Sequence, residues 1–146
     1  MSSEDTRFLR PIIIDFGSSM FRLGWSGDDF PETLNPSIYV DISDYIFNSD
    51  VINGLEEIFK GEGDQDYLFG EEASKYQNIL KIHEFIKEEN YNILEKYFLF
   101  HYQKLNIPEK YHFMQPIIII SPFNITDMVK AKLQHIFFGK FQFPFL

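Results

Sequence analysis

A chain of 146 residues with a net charge of −9 and no cysteine excludes a disulfide framework, a thiolate zinc site and a basic stripe that would neutralise nucleic-acid phosphates. A hydrophobic content of 45%, including 17 Phe and 8 Tyr, is enough for the core of one domain and argues against disorder. No run approaches the roughly 18 apolar residues of a membrane span, and residues 1–10 lack the apolar centre of a signal peptide, so a cytoplasmic or nuclear place is expected, with neither nucleic acid nor membrane as partner.

Residues 1–10 read as a short, loose leader. Ile12, Ile13 and Ile14 then run into Asp15, as in a buried strand. Phe16, Gly17, Ser18 and Ser19 supply a turn. The next stretch alternates, with Phe21, Leu23 and Trp25 on one face and Met20, Arg22 and Gly24 on the other. Strand, tight turn and strand predict a β-hairpin. Gly27, Asp28 and Asp29 mark a second turn, and residues 36–40 a third strand. Over 41–63, Val51, Leu55, Ile58 and Phe59 have the spacing of a short amphipathic helix, set among acidic residues and glycines that predict a mobile, exposed lobe.

Asn90 is placed to cap a helix reaching about Leu105, with Leu94, Phe98, Tyr102 and Leu105 as its apolar stripe. Residues 116–120 are uniformly apolar and predict a strand buried on both faces. Asn124, Ile125, Thr126 and Asp127 open a last helix, with Val129, Leu133, Ile136 and Phe137 inward and Gly139 as its C-cap. The order hairpin, strand, lobe, helix, strand, helix is that of an α/β domain.

The chemistry is concentrated at the hairpin. Gly17 brings a backbone amide close to an anion because no Cβ intervenes. Ser18 and Ser19 offer hydroxyl donors to phosphate oxygens. Asp15, at the strand end, suits a hydrated Mg²⁺, and Arg22, on the returning strand, suits a phosphate. Taken alone, such a turn is more often only a turn. Asp15, Phe16 and Gly17 also spell the metal-binding triplet of protein kinases, but the motifs a kinase needs upstream have no room in fourteen residues. His83, His101, His112 and His135 show no metal-ligand spacing; His101 and His135 read as partly buried helix residues. Glu71, Glu72, Glu88 and Glu89 read as solvated faces.

The wider spelling resembles actins and actin-related proteins. Their first phosphate-binding hairpin has a strand ending in Asp, then x-G-S-G, then a second strand entering G-x-x-G-D-D-x-P. This chain keeps Asp15, Gly17, Ser18, Met20, Gly24, Gly27, Asp28, Asp29 and Pro31, followed by Pro36, Ser37 and Ile38. Tyr67, Leu68, Phe69, Gly70, Glu71, Glu72 and Ala73 resemble the family's Y-V-G-D-E-A. Leu94, Glu95 and Lys96 resemble its M-E-K helix. Ser121, Pro122, Phe123 and Asn124 resemble A-P-L-N, and Phe141, Gln142, Phe143 and Pro144 resemble F-N-V-P. The resemblance runs from about Pro11 to Leu146.

It implies the N-terminal half of a ribonuclease H-like actin-type domain: a leader over 1–10, a core over 11–40 and 71–146, and an inserted mobile lobe over 41–70. It implies ATP or ADP with Mg as possible cofactor, Gly17, Ser18, Ser19, Met20 and Arg22 at the phosphates, and Asp15 toward Mg through water. Ser19 stands where actins have Gly, and Arg22 where they have Lys. The family's second phosphate loop and hydrolytic glutamine lie beyond Leu146. The expectation is an actin-related structural or scaffold component of a cytoskeletal or other large assembly; the alternative is an ATP-binding, slowly hydrolysing subunit whose second half is missing. A cytoplasmic, cytoskeletal place is expected, with nuclear or ciliary ones open. Five phenylalanines and a leucine among the last ten residues predict a C-terminal end that docks on a protein partner.

Overall fold

The computed structural model describes residues 6–47, 66–121 and 125–144, without the side chains of residues 45–47. The isoleucine run forms β1 (Ile12–Phe16) and the alternating stretch forms β2 (Met20–Trp25). They pair antiparallel from Ile12↔Trp25 to Phe16↔Phe21, which gives the expected hairpin. The third strand divides in two: β3 (Thr33–Pro36) continues the first sheet, and β4 (Tyr39–Asp41) leaves it for a second. Ser37 sits at the break and is fully buried.

After β4 come α1 (Ile42–Phe47), β5 (Tyr67–Phe69) and α2 (Glu71–Ser74). Strands β4 and β5 make an antiparallel two-stranded sheet over a small core of Val40, Leu68, Ala73 and Leu80. Most of the lobe expected over 41–70, including the helix through Val51, Leu55, Ile58 and Phe59, lies outside the described residues.

Helix α3 (Tyr91–Gln103) starts at the expected cap, where the Asn90 side chain accepts from the Ile93 amide at 3.2 Å. Strand β6 (Ile117–Ile120) lies parallel to β1, in the order β3-β2-β1-β6. Its expected burial on both faces is not found. Ile117 is buried but Ile118 and Ile120 are exposed, because among the described residues the strand is at the sheet's edge and nothing covers its second face. Helix α4 (Asp127–Gln134) begins on Thr126, whose side chain accepts from the Val129 amide. It runs on into a π-helical turn, His135–Lys140, so Gly139 lies within a turn and is not the expected cap.

One face of the four-stranded sheet carries Ile12, Ile14, Phe16, Phe21, Leu23 and Trp25, packed with Tyr97 and Phe98 of α3 and with Phe137. Of the phenylalanine-rich end that was expected to dock on a partner, Phe137 and Phe143 lie in this core and Phe138 and Phe141 pack against it partly buried. Phe137 is 0% and Phe143 3% exposed. The chain turns back at Gln142, whose φ is 60°, and the Phe143 amide donates to the Phe137 carbonyl at 3.0 Å. Phe143 then meets Phe113 with ring centroids 5.2 Å apart and Tyr102 at 5.7 Å. Phe145 and Leu146 lie outside the described residues. Near the other end, the leader is tied down from Phe8 onward. Gln115 Nε2 donates to the Phe8 carbonyl at 2.6 Å, and Arg10 pairs with Asp28 at 3.0 Å.

Candidate functional site

The hairpin turn between β1 and β2 carries the candidate residues. A Cβ on Gly17 would stand 2.5 Å from the Met20 carbonyl oxygen, closer than side-chain carbons approach backbone. Only glycine closes this turn without displacing the start of β2. The turn is also held from behind by Ser37, which the sequence did not single out for this role. Its hydroxyl donates to the Gly17 carbonyl at 2.8 Å, and its amide donates to the Ser19 carbonyl at 2.9 Å. With its shape fixed by buried hydrogen bonds, the turn presents Ser18 and Ser19 to solvent. Met20 opens β2, half-buried, opposite Pro36.

Asp15 and Arg22 are brought together. The hairpin register sets them opposite each other, and Arg22 Nη1 donates to Asp15 Oδ2 at 3.2 Å. The expected metal-holding carboxylate and the expected phosphate-binding cation are thus a cross-strand ion pair on the sheet face away from the core. The exposed hydroxyls of Ser18 and Ser19 fit a phosphate group, and the carboxylate of Asp15 fits a hydrated cation, but each charge is already answered by the other. The sequence alone left this open: a three-residue turn at 17–19 would set Asp15 opposite Phe21, whereas the observed register leaves the four residues 17–20 between the paired Phe16 and Phe21 and so sets Asp15 opposite Arg22.

Behind the turn, Phe16, Phe85, Leu94, Ile120, Val129 and Leu133 enclose much of a cavity of about 210 Å³. Its wall is largely hydrocarbon, which suits apolar groups and not phosphate. The remaining candidates are structural. His101 is buried, stacked on Phe21 with centroids 5.1 Å apart, while His135 is exposed. His83 sits between two carboxylates, Asp44 at 3.5 Å and Glu88 at 3.2 Å. Glu72 pairs with Lys75. No group of three or more acidic or histidine side chains is arranged to hold a metal among the described residues, and no helix there is long and apolar enough to cross a membrane.

Asn35 is a further residue missed in the sequence. Its Oδ1 accepts from the Glu71 amide at 2.8 Å, which leaves its Nδ2 facing His101 Nε2 at 3.2 Å. It also lies against Gly70, where any Cβ would overlap its side chain. One side chain thereby joins β3, the start of α2 and the last turn of α3.

The family model described as Actin matches residues 7–146 of this chain. Among curated proteins, the chain is 25% identical over 142 residues to actin-related protein 4 of Debaryomyces hansenii, covering 94% of this chain and 27% of that protein. It is 27% identical over 143 residues to centractin of Schizosaccharomyces pombe, covering 94% of this chain and 34% of that protein. The chain therefore spans about a third or less of the length of either relative.

Proposed function

This chain belongs to the actin family, and from that premise we propose that it is a structural component of a multiprotein assembly that contributes one wall of a nucleotide cleft. The observation that carries this reading is the Asp15–Arg22 pair beside a preformed turn. The turn is held in one shape by Ser37 and exposes Ser18 and Ser19, while its two charges are spent on each other. In this reading Gly17, Ser18, Ser19, Met20 and Arg22 face the phosphates of ATP or ADP, and Asp15 holds Mg²⁺ through water. The cation, when bound, neutralises phosphate charge; the chain itself supplies hydroxyl donors and one guanidinium.

The division into a core over 11–40 and 71–146 with an inserted lobe over 41–70 belongs to the same proposal, as does a cytoplasmic or cytoskeletal location. A second reading, an ATP-binding and slowly hydrolysing subunit, is favoured by the glycine that the turn requires and by the buried Ser37 that holds its shape.

Calorimetric titration of the chain with Mg-ATP tests the structural reading. A single wall leaves base and ribose in water, and a few charge-assisted hydrogen bonds do not offset an association cost of about 4–15 kcal/mol. Binding no tighter than about the millimolar range is expected. A micromolar dissociation constant overturns the structural reading in favour of the second.

A further inference from the structure

The two charges at the turn stand in a single row across the sheet. The strand registers align Leu34, Arg22, Asp15 and Ile120 side by side, and this face is turned away from the core. Leu34 and Ile120 are exposed aliphatic groups, so the row contributes no third charge to disturb the pair. Arg22 is half exposed and Asp15 a quarter exposed, so solvent and small ions reach both. Each makes its ion pair with the other alone among the described residues. The consequence is a directed one. A guanidinium held by a carboxylate on the neighbouring strand is not free to reach an anion at Ser18 and Ser19 in the turn.

We propose that Asp15 and Arg22 form a charge latch on the turn: Asp15 keeps Arg22 in reserve, and a phosphate-bearing ligand binds by taking the guanidinium from Asp15. The latch rests on the reading of the turn as a phosphate wall and adds the pair that regulates it. It is weak by construction, because an exposed pair is well screened. That makes it reversible at modest ligand concentration, where a buried pair would hold Arg22 permanently. It also assigns Asp15 two separate effects, both against an anion: direct repulsion, and withdrawal of the cation that would attract it. Only the second depends on Arg22, so the two are separable.

The test is an amide-resolved NMR titration of the whole chain with inorganic pyrophosphate, without divalent metal, in about 0.15 M salt to damp direct repulsion. Shifts of Gly17, Ser18 and Ser19 are followed in the natural chain, in Asp15→Asn, in Arg22→Gln and in the double variant. Amides remote from 15–22 report that each protein keeps its fold. Asp15→Asn is expected to tighten pyrophosphate binding by about two- to fivefold where Arg22 is present, and by clearly less in the Arg22→Gln background. Equal gains in the two backgrounds, or no gain in either, overturn the latch and leave the phosphate wall standing. No pyrophosphate-dependent shift at the turn in any of the four proteins overturns both.

Discussion

His101 shows how much one residue's surroundings decide. Its ring is stacked on Phe21, meets Tyr97 edge-on and is 1% exposed. Because the Glu71 amide claims Asn35 Oδ1, Asn35 donates to Nε2, and the neutral ring carries its proton on Nδ1. That Nδ1 has no hydrogen-bond partner. Burial, aided by the nearby Lys104 ammonium, pushes the pKa down to about 4 from the usual 6.5. The unfolded chain takes up a proton near 6.5 that the folded chain refuses until about 4. His101 therefore adds stability that is fully present above pH 6.5 and is lost as pH falls through about 4, to the extent of roughly 3 kcal/mol. Urea unfolding between pH 7 and 4 checks this: His101→Phe keeps the stacking and should flatten the decline relative to the natural chain. Equal slopes in the two proteins would show that His101 ionises freely in the fold. At the turn, Gly17→Ala is expected to cost about 1–3 kcal/mol by driving a Cβ against the Met20 carbonyl; an unchanged urea midpoint would show that the turn relaxes without penalty.

At the scale of elements, the C-terminal segment is the sharpest test of the core described above. Phe143 closes onto Phe98, Phe113 and Tyr102, so Phe143→Ala is expected to destabilise the chain by about 3–5 kcal/mol. If unfolding is unaffected and only association with a partner is lost, the segment is an interface after all. The same region explains what a sequence conveys. The hairpin was legible because Phe21, Leu23 and Trp25 alternate with Met20, Arg22 and Gly24 around a turn that needs glycine. Asn90 was legible as a cap because capping is local. A run of four isoleucines, by contrast, reads the same at a sheet's centre and at its edge, so the exposure of Ile118 and Ile120 had no signal. Clustered phenylalanines look like a sticky tail until α3 supplies Phe98 and Tyr102 to receive them. Asp15, Gly17 and Ser18 were legible as a local motif, whereas Ser37 holds Gly17 from 20 residues away and Asn35 meets His101 from 66. Contacts at those distances are properties of the fold.

At the scale of the whole molecule, the sheet is asymmetric. Its inner face is packed by α3 and the C-terminal segment, while Leu34, Ile118 and Ile120 on the other face are 53%, 39% and 48% exposed. Among the described residues β6 pairs only with β1, so its outer edge also leaves backbone donors and acceptors without a strand partner. An exposed, isoleucine-rich edge beside an apolar face promotes association between chains. Among the described residues the one ion pair on that face, Asp15 with Arg22, is internally neutral and puts no net charge in the way of a covering surface. The chain alone is therefore expected to self-associate as its concentration rises, in spite of a net charge of −9 that opposes it. Placing lysines at Ile118 and Ile120 should suppress this, since charged edge residues block strand addition. Because Ile118 and Ile120 are partly exposed, each change should alter the chain's own stability by no more than about 1 kcal/mol. Sedimentation velocity over a wide concentration range, with urea unfolding of both proteins, reads the two effects separately. A natural chain that stays monomeric throughout and unfolds cooperatively would show that the open face needs no cover, and that face would lend no support to the reading of this protein as a component of a larger assembly.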